Sequence, residues 1–245
     1  MTNAAVSIIM PTLNEAAGIG RALAGLRRDF PDAEVIVADG GSTDGTADLA
    51  AGFAKVIACE PGRGRQLNAG ARAAGGEVLW FVHADTVIDP GALDGILAAL
   101  ADADVVGGGL SLRFDHDTTA LRFLAWSSNQ RARRIGQIFG DQAVFVRRIV
   151  FDALGGFPDY PLMEDFEFSR RLRKTGRLAV LAATSTASAR RFQAHGTWRM
   201  IVFMQVIKIR YLLGASPESL RRRYTAGPLS LRRRYSSRPK GSVPR

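Results

Sequence analysis

The chain is poor in cysteine and in long apolar runs. Its 245 residues include one cysteine, Cys59, so neither an intramolecular disulfide nor a cysteine-based zinc site can form. The most apolar long stretch, residues 197–213, is interrupted by three basic residues and a glutamine. The low cysteine content predicts a reducing compartment, namely the cytoplasm. The interrupted apolar stretch predicts that no helix spans a membrane.

Two common nucleotide-binding signatures are also absent. The pattern G-x-G-x-x-G does not follow the first apolar run, which argues against a dinucleotide site of the usual kind. The pattern G-x-x-x-x-G-K-[ST] does not occur either, which excludes a P-loop.

Charge is distributed unevenly along the chain, whose net charge is +10. Residues 186–245 carry 14 Lys or Arg and a single acid, Glu218, whereas residues 1–185 carry 19 basic and 22 acidic residues. A nucleic-acid interface would therefore rest on the C-terminal part alone. Basic and aromatic residues do not interleave there as single-strand binders require, so we expect no nucleic-acid partner.

Strand and helix patterns alternate through the first hundred residues with short loops between them. This alternation predicts an α/β fold with a Rossmann-like, mostly parallel central sheet flanked by helices. The predicted strands are residues 6–10, 34–38, 55–58 and 77–82, and a helix rich in small residues is predicted at 66–74. Beyond residue 100 the pattern predicts strands at 104–114, 138–147, 178–182 and 186–192 and helices at 118–135, 164–176, 197–213 and 217–224.

A polar cluster follows each of the first four predicted strands. In open parallel sheets ligands bind beyond the carboxyl ends of the strands, so we expect these clusters to meet at one edge. The clusters are residues 11–15, 39–44, 62–65 and 83–85.

Polar residues at three places along the chain have a structural interpretation beside the functional one. Asp39 can accept hydrogen bonds from a base or a ribose, or it can simply cap a turn. Residues 62–65 (GRGR) can hold a phosphate through backbone and guanidinium groups, or form an exposed basic turn. Glu164 and Asp165 open a predicted helix, where acids are favoured by the helix dipole, yet either can present a general base.

His83 and Asp85 alternate as strand residues do, which predicts that both point to the same side. Asp85 is a hard oxygen ligand suited to Mg²⁺ beside a diphosphate, and an imidazole at this position tolerates Mn²⁺. The alternative for His83 is a hydrogen-bonded structural residue at a strand end.

Four segments together resemble family 2 nucleotide-sugar glycosyltransferases with the GT-A fold, in a small bacterial branch with His-Ala-Asp in place of Asp-x-Asp. The segments are SIIMPTLNEAAGIGRAL, VIVADGGSTDGT, GRGRQLNAGARAAGGEVLWFVHADT and FPDYPLMEDFEFSRRLRKTG, in that order along the chain. The resemblance covers about residues 5–195. It implies an inverting transfer of one sugar from a UDP- or GDP-sugar to an acceptor hydroxyl, with Mn²⁺ or Mg²⁺ as the cofactor.

The resemblance also implies roles for individual residues. It assigns Asp165, with Glu164 beside it, to catalysis, and Asp85 with His83 to the metal. The nucleotide would be bound by Pro11, Thr12, Glu15, Asp39, Asp44 and Arg65. The acceptor or the diphosphate would be bound by Asp141, Gln142 and Arg191.

Two departures from the family pattern affect this expectation. His83 replaces the first aspartate of Asp-x-Asp, which bears on the metal preference. The Q-x-x-R-W motif of processive members is absent, which favours transfer of a single sugar. The alternatives are a nucleotide-sugar-binding protein without transfer activity and a nucleotidyltransferase, although the loop PTLNE lacks the Gly-rich basic sequence of the latter.

The expected organisation is a catalytic domain with additions at its C-terminal side. Residues 1–195 form the catalytic domain, with a nucleotide-binding part at about 1–112 and an acceptor part at about 113–195. Residues 196–226 form C-terminal helices, and residues 227–245 a basic tail. The apolar helix at 197–213 has two interpretations: packing in a core or a homodimer contact, or contact with a membrane surface that carries a lipid-linked acceptor.

Overall fold

The computed structural model describes residues 5–228, which fall into two compact units divided between Ala189 and Arg190. The predicted domain boundary lies later, after residue 195, so residues 190–195, which form a short helix, were expected in the catalytic domain. Most of the predicted basic tail, residues 229–245, lies outside the described residues.

The first unit is built from a sheet and flanking helices. Its strands are β1 Val6–Thr12, β2 Glu34–Asp39, β3 Lys55–Ala58, β4 Val78–Phe81, β5 Thr86–Ile88, β6 Val105–Phe114, β7 Phe145–Arg147 and β8 Arg177–Ala187. Its helices are α1 Ala16–Asp29, α2 Thr46–Ala51, α3 Arg63–Ala73, α4 Ala92–Leu100, α5 Thr119–Ile135, α6 Arg148–Ala153 and α7 Glu164–Leu172.

The sheet has the strand order β3-β2-β1-β4-β7-β6-β8-β5. The first four strands are parallel, so their carboxyl ends share one edge as predicted. Strand β7 runs antiparallel to β4 and β6, and β5 runs antiparallel to β8. The predicted α/β sheet is thus confirmed, with its parallel character concentrated in the N-terminal half.

Both faces of β1, β2 and β4 are buried, which explains why these strands are largely apolar, whereas the edge strand β3 is partly exposed. Successive side chains of β4 point to opposite faces, so Trp80 packs in one core cluster while Leu79 and Phe81 pack in the other. The Trp80 ring meets Phe30 edge-on at 5.1 Å, and its indole N–H donates to the carbonyl of Ala143. The strand leaves this core just before His83.

Several local predictions were wrong. Residues 186–192 are not a separate strand, because β8 runs unbroken to Ala187 and a helix follows it. Residues 138–147 form a 3₁₀ turn, Gly140–Gln142, before the short strand β7, and α7 ends at Leu172 rather than at residue 176. Residues 83–85 belong to a turn between β4 and β5 rather than to a strand, so strand alternation does not set the directions of His83 and Asp85.

The described part of the second unit consists of helices α8 Arg190–His195, α9 Thr197–Leu212 and α10 Pro217–Ala226. The last of these begins as the sequence predicts, because the Ser216 hydroxyl accepts the Ser219 amide at 3.3 Å and Pro217 takes the first helical position. Across residues 5–228, the helices are too short or too polar to cross a lipid bilayer.

Candidate active site

Asp39 ends β2 and is held by its own loop and by the end of β1. Its Oδ1 accepts the hydroxyls of Thr12 and Ser42 at 3.1 and 2.5 Å, and its Oδ2 accepts the amides of Gly41 and Ser42 at 3.0 and 2.8 Å. Burial acts to raise the pKa of Asp39, but these hydrogen bonds outweigh it and hold the pKa below its ordinary value. The carboxylate fixes the shape of the loop and is 5% exposed.

Asp44 joins this loop to the loop that follows β1. Its Oδ1 accepts the hydroxyl and amide of Thr46 at 2.5 and 3.1 Å, while its Oδ2 accepts the amide of Ala16 at 3.0 Å. The Thr46 hydroxyl in turn accepts the amide of Glu15 at 2.8 Å. Two adjacent strand ends are therefore cross-linked beside the site predicted for a nucleotide.

The other residues predicted for the nucleotide lie at the same strand ends. Pro11 and Thr12 close β1, and Glu15 directly precedes α1 with a half-buried side chain. Gln66, which the sequence analysis did not single out, is 4% exposed and donates from Nε2 to the carbonyls of Thr12 and Ala38 at 2.7 and 3.0 Å. It ties the ends of β1 and β2 together.

The two arginines of the GRGR segment point to different places. Helix α3 begins at Arg63, not at Gln66, so both arginines are helical and two residues apart. Arg65 is 47% exposed and pairs with Glu60 at 2.8 Å and Asp159 at 2.7 Å. Arg63 instead reaches the acidic pair that opens α7.

Gly64, between these arginines, is required by close packing. A Cβ at this position would lie 2.6 Å from the carbonyl oxygen of Pro158 and 3.6 Å from the Cβ of Glu164. The glycine thus lets the start of α3 approach the loop before α7, and this approach brings Arg63 to the carboxylates.

Glu164 and Asp165 occupy different environments. Glu164 is 1% exposed and pairs with the guanidinium of Arg63; burial raises the pKa of Glu164, while Arg63 opposes the rise. Asp165 is more open, at 17%, and lies 3.9 Å from Arg63. Its Oδ2 accepts the amide of Gly140 at 3.0 Å and its Oδ1 accepts the amide of Phe166 at 2.7 Å. Of the two acids, Asp165 is the more accessible.

His83 lies beside Asp165, and both pack against Gly140. A Cβ on Gly140 would lie 2.8 Å from Nε2 of His83 and 3.3 Å from Oδ2 of Asp165, so only glycine fits between them. Burial, and then the positive charge of Arg63, lower the pKa of His83 to about 4, although Asp85 and Asp165 act to raise it. The imidazole is therefore neutral at pH 7, the form that can ligate a metal.

Asp141 and Gln142 form the rest of the 3₁₀ turn. Burial raises the pKa of Asp141 to about 6 against the effect of Arg131, and its buried Oδ1 has no hydrogen-bond partner. Gln142 is fully buried; it accepts from Arg131 at 3.2 Å and donates to the carbonyl of Leu110 at 3.3 Å. These contacts hold the buried Gln142 side chain under the turn, and its contact with acceptor or diphosphate stays a prediction.

Arg191 belongs to the second unit. Its guanidinium contacts the hydroxyl of Tyr224 and lies 5.0 Å from the centre of that ring.

The residues present fit the divalent metal that the family resemblance implies, if substrate and water supply the remaining ligands. Within residues 5–228, no group of three or more His, Cys, Asp or Glu side chains gathers closely enough to hold a metal by itself. Asp85, exposed on the turn after β4, and the neutral His83 supply one oxygen and one nitrogen. A small protein donor set is typical of Mg²⁺ or Mn²⁺ sites completed by substrate phosphates and water.

The sheet order and the charged carboxyl edge define an α/β protein of the class in which ligands bind beyond the carboxyl ends of the strands. The family model for glycosyl transferase family 2 matches residues 7–153, and the chain belongs to this family. An uncharacterized glycosyltransferase of Nostoc sp. is 32% identical over 111 residues, which cover 42% of this chain and 34% of the relative. The chain thus spans about a third of that relative's length.

Two solved structures share the fold. The mannosyltransferase PcManGT from Pyrobaculum calidifontis, in complex with GDP-Man and Mn²⁺, has a TM-score of 0.67 at 20% identity, covering 89% of this chain and 67% of that one. Glucosyl-3-phosphoglycerate synthase from Mycobacterium tuberculosis, with Mn²⁺, UDP and phosphoglyceric acid, has a TM-score of 0.57 at 19% identity, covering 76% and 69%. The predicted GT-A fold is confirmed.

Three residues of the site were missed from the sequence. Arg63 was passed over in favour of Arg65, Gln66 resembled any polar residue on a helix, and Arg131 lay within a long helix. Arg131 is partly buried, with its guanidinium 3.9 Å from the Phe139 ring centre and its Nε donating to the carbonyl of Gln137 at 3.0 Å. Helix periodicity provides a signal for Arg131, because it lies on the side of α5 that carries the buried Ser128 and Ala132.

Proposed function

We propose that the protein is an inverting, metal-dependent glycosyltransferase that moves one sugar from a nucleoside-diphosphate sugar to an acceptor hydroxyl. One observation carries this proposal: Asp165 and His83, from elements far apart in the chain, pack side by side against Gly140, with Arg63 at the same carboxylate. A proton acceptor, a metal-ligating group and a cation thus meet at the edge where the nucleotide loops end.

The donor nucleotide is expected at the cross-linked ends of β1 and β2. The Asp39 and Asp44 loops expose backbone groups held in fixed positions, which suits recognition of a base and ribose. The solved neighbours are complexes with GDP-Man and with UDP, so both nucleotides are candidates for this chain.

Asp85 and His83 would hold the divalent cation, which supplies Lewis-acid stabilisation of the diphosphate leaving group. Arg63, at the first position of α3, is within reach of the same region and adds positive charge to it. Mn²⁺ in both neighbouring structures supports a divalent metal in this site, and His83 in place of an aspartate favours Mn²⁺ over Mg²⁺.

Asp165 is the proposed general base. As the acceptor oxygen attacks the anomeric carbon, Asp165 takes the hydroxyl proton, and the bond from that carbon to the diphosphate breaks with its electron pair on the diphosphate. Attack from the face opposite the leaving group inverts the anomeric configuration. The amides of Gly140 and Phe166 fix the carboxylate in the orientation that this step needs.

The donor site is tested by thermal shift with UDP- and GDP-sugars in the presence of Mn²⁺ or Mg²⁺. Isothermal titration then compares the wild type with Asp85→Ala, which we expect to abolish metal-dependent donor binding. Asp94→Ala, which removes an exposed carboxylate of α4, is the matched control and should bind as the wild type does. If Asp85→Ala keeps the same metal-dependent affinity for the donor, the assignment of the metal site is wrong.

A further inference from the structure

Helix α9 has two apolar faces, only one of which is covered. Met200, Phe203 and Ile207 are buried on one side of the helix, and Ile201 is buried between the two faces. The opposite side exposes five large apolar residues, each more than half exposed: Trp198, Val202, Ile209, Leu212 and Leu213.

The five exposed residues, which we call the α9 stripe, form one continuous strip. At about 100° per residue, they fall within a sector of about 100° that runs the length of the helix and onto Leu213, just past its last residue. Gln205 is the one polar residue in that sector. A strip of this width matches the apolar face of a helix that packs against another apolar medium.

Basic residues border the α9 stripe on both sides. Arg199 and Arg210, both exposed, lie along one border at about 100° to 120° from Trp198, and Lys208 lies along the other. Long Lys and Arg side chains in this position keep their charges in a polar layer while their stems cover apolar surface. This arrangement is typical of helices that lie in the interface of a membrane.

The positive charge of the second unit favours an anionic surface over a second copy of the chain as the partner of the α9 stripe. Residues 190–228 contain eight Lys or Arg and a single acid, Glu218. A symmetric contact between two copies through the α9 stripe would bring the bordering basic residues face to face, which costs free energy. An anionic surface would pair with them.

We propose that the α9 stripe binds the protein to an anionic lipid surface, with α9 lying in the plane of that surface. The membrane contact does not depend on the proposed sugar transfer, since it uses the second unit alone. It also bears on that reaction: a catalytic domain held at a lipid surface would meet an acceptor that is itself attached to lipid.

The test is sedimentation of the full chain with vesicles. We expect binding to phosphatidylglycerol-containing vesicles, little binding to phosphatidylcholine alone, and weakening as salt is raised to about 1 M. Trp198→Ser with Leu213→Ser should reduce the bound fraction at least about tenfold, and so should Arg199→Ser with Arg210→Ser. All four side chains are exposed, so the variants should fold.

The matched control is Phe123→Ser with Trp126→Ser, which removes two aromatic residues of α5 that are 52% and 57% exposed in the first unit. It should bind vesicles as the wild type does. In Trp126→Phe, the remaining exposed tryptophan is Trp198, at 61%, and its fluorescence should shift to the blue on anionic vesicles.

Three outcomes would overturn the proposal. The first is absence of vesicle binding, and the second is equal binding to neutral and anionic vesicles. The third is a dimer in sedimentation velocity that Trp198→Ser with Leu213→Ser dissolves while vesicle binding persists. None of these measurements uses the transferase reaction, so failure of the membrane contact is separate from failure of the proposed activity.

Discussion

Two regions at the carboxyl edge of the sheet hold acidic side chains in opposite ways. Asp39 and Asp44 accept hydrogen bonds from hydroxyls and amides at two neighbouring strand ends, which stabilise their negative charges. Asp141, Glu164 and Asp165 meet cations from α3 and α5 instead, and burial opposes the charge on the first two. We call the first region the loop network and the second the charge cluster.

The difference distinguishes acids that shape the loops from acids that are available for a reaction. A carboxylate that already accepts several hydrogen bonds from neighbouring hydroxyls and amides, as in the loop network, shapes a binding surface but has little capacity left for a reacting proton. The charge cluster leaves Asp165 partly open and keeps Oδ1 of Asp141 without a partner. Buried groups of that kind are typical of functional sites, where they cost stability.

The largest effect should come from Asp165→Asn in the charge cluster. Removing the base should lower kcat by about 10² or more, while donor binding persists because the metal and nucleotide residues are intact. Single-turnover transfer and isothermal titration with the donor measure the two separately.

Glu164→Gln is the control for that experiment, since Glu164 is buried against Arg63 rather than open. It should retain more activity than Asp165→Asn. An inactive Glu164→Gln beside an active Asp165→Asn would mean that the other carboxylate is the base.

Asp39→Asn and Asp141→Asn should change stability in opposite directions near neutral pH. The pKa of Asp39 is lowered on folding, so its ionised form stabilises the folded state. This stabilisation is present above the pKa of the unfolded state and is lost as the pH falls through the pKa of the folded state. Asp39→Asn should therefore cost about 1–3 kcal/mol of unfolding free energy at about pH 8. The pKa of Asp141 is raised to about 6, so the folded protein loses stability as pH rises from about 4 to about 6.

Asp141→Asn removes that loss and should stabilise the fold by up to about 3 kcal/mol at about pH 8, with little effect at about pH 4. Denaturant unfolding of both variants at the two pH values measures these changes. If both variants are destabilised at about pH 8, the contrast between the loop network and the charge cluster fails.

The loop network was largely predictable from sequence, because its members follow strands that are short, apolar and close together in the chain. The charge cluster was predictable only in part. The acidic pair at residues 164–165 stood out at a helix start, but its partners depend on the exact start of α3. Because α3 begins three residues earlier than expected, Arg63 and Arg65 differ by about 200° around the helix, and only Arg63 faces the acids.

The 3₁₀ turn at residues 140–142 shows a second limit of sequence reasoning. Apolar residues on both sides of it imitate a strand, so the predicted strand ran through the turn. Its key residue, Gly140, lets both His83 and Asp165 approach the turn closely, and this approach depends on tertiary packing and leaves no periodic signal.

The smallest of these effects should come from Arg63→Gln, which tests how the charge cluster positions its base. The change removes the guanidinium that holds Glu164 and lies 3.9 Å from Asp165, so we expect kcat to fall about tenfold. The KM for the donor should change little if Arg63 acts through Asp165, whereas a rise in KM would mean direct contact with the diphosphate. Arg65→Gln is the matched control, because it breaks only pairs to the exposed Glu60 and Asp159, which contribute at most about 1 kcal/mol. If Arg65→Gln is the more damaging of the two, the sequence prediction for Arg65 holds and the positioning role of Arg63 does not.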